Sequence, residues 1–177
     1  MNKESLKIKI VPMEKTDIDD VLSIESAAYG EHHWSKDSFL SELSNDLAFY
    51  FSAFNENNEL IGYAGCWQIL EEAHITNVAV SSEYRRKYIG ETLLVTLIDK
   101  CYENKIKYIT LEVRVSNEPA IKLYEKYGFK SLGIRKGYYQ NNNEDALIMW
   151  TENIFYNKFK VRYNKNVEEL KEKIGKI

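Results

Sequence analysis

Two side chains twelve positions apart, the carboxylate of Glu112 and the phenol of Tyr124, could carry a proton-transfer reaction between them. The run that holds them reads Leu-Glu-Val-Arg-Val-Ser-Asn-Glu-Pro-Ala-Ile-Lys-Leu-Tyr-Glu-Lys-Tyr-Gly-Phe, from Leu111 to Phe129. It has the pattern of a strand, a short turn and a helix that stops at a glycine. Such a unit can bring both groups to one cleft, one as proton acceptor and one as proton donor. Residue type alone does not establish this. A glutamate on the polar face of a strand is ordinarily solvated. A tyrosine on a helix is ordinarily a core aromatic with a wet hydroxyl.

A second segment points to phosphate. Tyr84-Arg85-Arg86-Lys87-Tyr88-Ile89-Gly90-Glu91-Thr92-Leu93-Leu94 follows the apolar run Asn77-Val78-Ala79-Val80 and opens a helical stripe. A basic turn feeding a helix N-terminus presents free backbone N–H groups and the positive end of the helix dipole. Other chemistries find no support. The histidines at 32, 33 and 74 make no metal-ligand spacing with either cysteine. No Gly-x-Ser-x-Gly motif is present.

The elements that must position these groups follow from periodicity. Lys7 to Met13 reads as a strand. Asp17 to Tyr29 carries a helical stripe at Ile18, Val21, Leu22, Ile24 and Ala27–Ala28, with Thr16 or Asp17 as cap. Ser35 caps a second helix through Phe39, Leu40 and Leu43. Leu47–Phe54 and Leu60–Leu70, rich in aromatic and β-branched residues, form a hairpin across Asn55-Glu56-Asn57-Asn58. His74–Val80 is a further strand, and Gly90–Cys101 a helix. Lys107–Val115 alternates, with Ile109, Leu111, Val113 and Val115 on one face and Glu112 on the other. Asn117–Tyr127 is a helix with Pro119 in its first turn and Gly128 as its stop. Lys130–Tyr139 and Ala146–Trp150 are two closing strands. Strand runs lying between helices give a mixed α/β (α+β) domain.

The 177 residues suffice for one domain, expected over 1–152, followed by a basic helical extension over 153–177. In that extension Val167, Leu170, Ile174 and Ile177 share a helical stripe. From Lys158 onward six Lys and one Arg face three Glu, a balance of +4 that leaves −7 on the rest of this −3 chain. An acidic body suits a basic partner and argues against direct nucleic-acid binding. Cys66 and Cys101 sit in apolar runs and read as buried free thiols of a reducing, cytoplasmic compartment. No apolar run approaches the ~20 residues of a membrane span, and Met1 to Lys7 lacks the apolar stretch of a signal peptide.

Taken together, the order and spacing of these segments resemble the GNAT superfamily of acetyl-CoA-dependent N-acetyltransferases. Arg85-x-x-Tyr88-x-Gly90 stands where that family has its pyrophosphate loop, with Tyr88 at a glycine position. The RimI type, which acetylates the N-terminal alanine of a small-subunit ribosomal protein, is the closer likeness. The matching stretches include Trp34-Ser35, Leu111-Glu112-Val113-Arg114 with Ser116-Asn117, Leu123-Tyr124-Glu125, Ile134-Arg135 with Tyr138-Tyr139, and Glu144-Asp145-Ala146. The resemblance spans residues 5 to 150. It implies a splayed, mostly antiparallel sheet of about seven strands, with acetyl-CoA as cosubstrate and no metal. It implies Glu112 as base and Tyr124 as acid. Val78, Ala79 and Val80 would bind the pantetheine arm, and the loop Arg85, Arg86, Lys87, Tyr88, Ile89, Gly90 and Glu91 the pyrophosphate, with Asn117 also on coenzyme A. Trp34, Tyr138 and Tyr139 would wall a channel for the N-terminus of a basic ribosomal protein. No membrane partner is expected, and the protein would be a monomer or weak dimer. Transfer to a small amine or a lysine, or acyl-CoA binding without turnover, are the alternatives.

The chemistry agrees with that acceptor. A peptide α-amine has a pKa of ~7.7–8.0 against ~10.4 for lysine, so roughly a tenth is neutral at pH 7 and a modest carboxylate base suffices. A backbone N–H near Val78 can steady charge on the attacked carbonyl oxygen.

Overall fold

Two aromatic-rich runs, β2 (Ala48–Phe54) and β3 (Leu60–Ile69), pair antiparallel as the expected hairpin. At their turn Asn55 Oδ1 accepts the N–H groups of Asn57 and Glu59 at 2.9 and 3.0 Å. This computed structural model describes residues 6–175. The other strands are β1 (Lys9–Pro12), β4 (Glu72–Val80), β5 (Tyr108–Arg114), β6 (Lys130–Tyr139) and β7 (Glu144–Trp150). All seven form one mixed sheet in the order β1-β2-β3-β4-β5-β7-β6. Among the described residues only β4 and β5 pair in parallel. That pair is joined through α3 (Ile89–Glu103), as a parallel connection requires.

Helices α1 (Ile18–Tyr29) and α2 (Lys36–Leu43) bury Ile18, Val21, Ile24 and Phe39 against Tyr50 and Tyr63. Ser35 caps α2 as expected, its Oγ accepting the Ser38 N–H at 3.1 Å. Asp17 does not cap α1. A short 3-10 turn precedes that helix, and the Asp17 carboxylate instead accepts the Glu14 N–H and the Ser52 hydroxyl, each at 2.9 Å. The larger core joins α3 (Leu93, Leu94, Leu97, Ile98, Cys101) to Ile109, Leu111 and Val113 of β5. Val115 falls outside β5 and is exposed. Helix α4 (Glu118–Lys126) begins at Asn117, whose Oδ1 accepts the Ala120 N–H at 3.3 Å. Gly128 follows at φ +89°, a conformation that favours glycine. No helix among the described residues is long and apolar enough to cross a membrane.

The basic C-terminal stretch forms α5 (Asn157–Ile174). Its buried stripe begins two turns earlier than hydropathy alone indicated: Phe159, Tyr163, Asn166 and Leu170 are buried, and Ile174 is only partly covered. Ile177 lies outside the described residues. The aromatic residues decide the register. Phe159 packs where Gly128 has no side chain, since a Cβ there would stand 3.0 Å from its ring. The Tyr163 hydroxyl donates to Asp99 Oδ1 at 2.5 Å, and Asn166 Nδ2 donates to the Lys126 carbonyl at 2.8 Å, at the end of α4. Phe159 and Tyr163 thus belong to the larger core. Phe159→Ala is expected to lower stability by about 3–5 kcal/mol. Val161→Ala, on the exposed side of the same helix, is expected to change it by less than about 0.5 kcal/mol. Urea unfolding of the two variants checks this.

Candidate active site

The site opens where β4 and β5 stop pairing. Their ladder holds Glu72–Tyr108, Ala73–Ile109 and His74–Thr110, and no further. Both strands continue, β4 to Val80 and β5 to Arg114. On the other edge of β4 the pairing with β3 steps from Cys66–Ile75 to Gly65–Asn77, so Thr76 is an extra residue. Such a bulge bends the strand that carries it. The Ser81 N–H donates to Ile61 O at 2.9 Å. Strand alternation then turns the backbone of Ala79 toward β3 and that of Val78 and Val80 toward the split. Ala79, expected with them, lines the cleft but turns its backbone to β3 and buries its side chain in the core under α1.

A cleft of about 800 Å³ runs along this split. It is lined by Val78, Ala79, Val80, Arg85, Arg86, Tyr88, Ile89, Gly90, Glu91, Glu112, Asn117, Tyr124 and Tyr139. The phosphate-type end lies at the start of α3. There the first helical bond runs from the Thr92 N–H to Tyr88 O at 2.9 Å. The N–H groups of Ile89, Gly90 and Glu91 precede it and have no partner within the helix. Tyr88 adopts φ +63° and Arg86 φ +60°, which cost a non-glycine residue about 1–2 kcal/mol each. The Tyr88 ring meets Lys173 of α5, whose Nζ stands 5.5 Å from its centroid. Lys87 turns onto the Tyr84 ring at 4.8 Å and does not line the cleft. The Glu91 carboxylate is buried and accepts from Lys126 Nζ at 2.5 Å and from the Tyr127 hydroxyl at 2.7 Å. Only its backbone remains for an anion.

Glu112 and Tyr124 meet this cleft from β5 and α4. The Glu112 Oε2 atom lies 2.5 Å from His74 Nε2, and its Oε1 lies 3.3 Å from Arg135 Nε. The His74 hydrogen bond holds this carboxyl below its ordinary range, against partial burial, and the charge of Arg135 adds to the effect. Tyr124 moves the other way: burial pushes its phenol up to about 12. Its hydroxyl has no hydrogen-bond partner among the described residues. Tyr139 stands over the Arg114 guanidinium at 3.8 Å, and burial pushes it too up to about 12. Arg114 is fixed in turn by Glu144 at 3.3 Å and by Asn141 at 3.0 Å.

Trp34 and Tyr138 are not brought to the cleft. The Trp34 indole packs on Phe39 at 5.4 Å and Tyr50 at 6.4 Å, and the Trp34 backbone N–H donates to Glu25 Oε1 at 3.0 Å. Its indole completes the α1–α2 core because an aromatic side chain gains more from burial there than at a rim. Tyr138 is exposed and leans edge-on against Tyr139 at 5.1 Å. Conversely, Tyr29 of α1 and Asn77 of β4 line the cleft, and His74 touches Glu112. No motif marks Tyr29, and His74 and Asn77 lie in the expected His74–Val80 strand without a role of their own. The His74–Glu112 contact depends on strand register, which the spacing of the two residues does not encode.

The acetyltransferase (GNAT) family matches residues 18–129 of this sequence. The chain belongs to the GNAT family. A Bacillus subtilis (strain 168) protein is 42% identical to this GNAT chain over 144 residues, 81% of it and 95% of its own length. It is named, provisionally, as a ribosomal protein bS18 alanine N-acetyltransferase. The Escherichia coli (strain K12) protein of that name is 34% identical over 142 residues, 79% of this chain and 94% of its own. The crystal structure of the Escherichia coli ribosomal-protein-S18-alanine N-acetyltransferase superposes with a TM-score of 0.75 at 33% identity, covering 82% of this chain and 94% of that one. The GNAT fold and RimI-type kinship expected from the motifs therefore hold, and the chain is an acetyltransferase.

The strain at Tyr88 has a direct test. Phosphate binding at this loop uses backbone N–H groups, so Tyr88→Gly keeps them while relieving the left-handed conformation. Coenzyme A affinity, measured by titration calorimetry, is expected to stay within about threefold of wild type. A tenfold loss would show that the ring itself contacts the ligand.

Proposed function

We propose that this GNAT enzyme transfers the acetyl group of acetyl-CoA to the α-amine of a protein N-terminus, namely the N-terminal alanine of ribosomal protein bS18. The observation that carries the reading is the meeting of Glu112 and Tyr124 in one cleft at the parting of β4 and β5. The names of relatives 42% and 34% identical over most of the chain supply the acceptor. The residues present fit the cosubstrate. The unpaired backbone of Val78 and Val80 suits the amide-bearing pantetheine arm. The N–H groups of Ile89, Gly90 and Glu91, beside Arg85 and Arg86, suit a pyrophosphate. Acetyl-CoA supplies the acetyl group as a thioester, which a neutral amine attacks directly.

In this reading Glu112 takes the proton that the amine nitrogen sheds. An α-amine at ~7.7–8.0 needs only a modest base, which a carboxylate held below its ordinary pKa can be. Tyr124 faces the departing sulfur. A phenol at about 12 gives up its proton to a thiolate near 8.5 only at a cost of roughly 5 kcal/mol. Tyr124 therefore works chiefly by donating a hydrogen bond to that sulfur, with solvent completing the protonation. Tyr139, steadied by Arg114, walls the acceptor side, and the enzyme acts in the cytoplasm where ribosomal proteins are made.

The acceptor is tested with acetyl-CoA and a bS18 N-terminal peptide, free or blocked at its α-amine, followed by mass spectrometry. Only the free peptide is expected to gain an acetyl group. Acetylation of the blocked peptide would move the reaction to lysine. Glu112→Gln and Tyr124→Phe are each expected to lower kcat at least tenfold, with KM for acetyl-CoA nearly unchanged. Because the Tyr124 phenol titrates at about 12, it keeps its proton through pH 10. The ratio of wild-type to Tyr124→Phe turnover is thus expected to stay flat from about pH 7 to about pH 10. A ratio collapsing toward one near pH 10 would assign the phenol its ordinary acidity.

A further inference from the structure

Glu112 does not stand free in its cleft. Its Oε2 shares a 2.5 Å hydrogen bond with His74 Nε2, shorter than its 3.3 Å contact with Arg135 Nε at the other oxygen. The Glu112 side chain is only 10% exposed, while His74 is 33% exposed, so the imidazole reaches solvent where the carboxylate hardly does. The ring cannot swing freely. Trp67 of β3 stands edge-on to it at 6.2 Å and 81°, and the Trp67 indole N–H is anchored to Glu42 Oε2 of α2 at 2.5 Å. The backbone fixes the meeting as well. His74–Thr110 is the last rung of the β4–β5 ladder, and Glu112 is the next residue along on the same face of β5. The charged and titratable groups about the pair are Glu112 of β5, Arg135 and Tyr139 of β6, and Glu42 of α2.

We propose that His74 is a positioning residue for the acetyl-transfer base: its Nε2–H fixes the Glu112 carboxylate by one oxygen and leaves the other turned to the acceptor amine. The inference rests on the reading of Glu112 as base. In the step, an N–H bond of the α-ammonium breaks and an O–H bond forms at Glu112 Oε1, the oxygen with the longer contact, leaving the neutral amine. The electron pair stays on nitrogen for attack on the thioester. His74 keeps its Nε2–H throughout, so Oε2 stays clamped while Oε1 takes the proton.

The test measures kcat and KM at about pH 8 for wild type, H74Q, H74A and E112Q, with acetyl-CoA and an alanine-starting peptide. Glutamine can still donate to Glu112 and alanine cannot. H74A is expected to lose about tenfold in kcat and H74Q only about threefold, with KM for acetyl-CoA unchanged in both. A downfield Nε2 proton in the NMR spectrum of wild type, absent from H74Q and E112Q, reads the hydrogen bond without reference to turnover. Thermal unfolding of H74Q near the wild-type midpoint separates these effects from misfolding. H74Q no faster than H74A, or a change confined to KM, overturns the inference. If E112Q is as active as wild type, the base assignment itself fails and His74 falls with it. If E112Q is slow while both His74 variants match wild type, only the role of His74 is lost.

Discussion

The parting of β4 from β5 after the His74–Thr110 rung is the constraint on which the rest depends. A continuous ladder would satisfy every backbone group of both strands and leave nothing to bind with. By separating, the strands expose the backbone of Val78 and Val80 within an otherwise closed sheet. The bulge at Thr76 and the core under α1 and α2 hold β4 on one side. The pairing of β5 with β7 holds the other. Neither strand can close the gap without leaving a partner, so the cleft is a property of the sheet and not of a mobile loop.

The chemistry is distributed across that gap in an uneven way. The carboxylate side is crowded with donors, His74 and Arg135, which favour the charged form. The phenol side is apolar, with Phe129 at 5.5 Å from the Tyr124 ring, and burial favours the neutral form. Two groups that would titrate less than six units apart in water are driven further apart. Each then stays in one protonation state over the whole physiological range, which is the usual signature of a divided acid–base pair.

Much of this was legible in the residues. The strand-turn-helix from Leu111 to Phe129, the hairpin around Asn55–Asn58, the Ser35 cap and the Gly128 stop are local signals, and local signals survive folding. What escaped was of two kinds. Contacts that need strand register, such as His74 with Glu112, have no trace in spacing along the chain. Side chains with two plausible uses are settled by packing: the Trp34 indole completes the α1–α2 core, and the Glu91 carboxylate meets Lys126 and Tyr127 while its backbone N–H stays at the loop. In α5 the apolar residues near the end carry the visible stripe, but the buried aromatics Phe159 and Tyr163 set the register.

Helix α5 follows every other element in chain order yet fills a core that includes β3 and α3. Its Asn166 side chain also holds the last carbonyl of α4, the helix that carries Tyr124. During synthesis the sheet can therefore form early, but the face beneath α3 and α4 stays open until residues 157–174 have emerged. The contacts that close it, Asn166 with Lys126 and Tyr163 with Val95, join residues 40 and 68 positions apart and carry a loop-closure cost. An enzyme read here as a modifier of ribosomal proteins would thus be the last of its own parts to assemble as it leaves a ribosome, and its cleft would take final shape only when translation has delivered its basic tail.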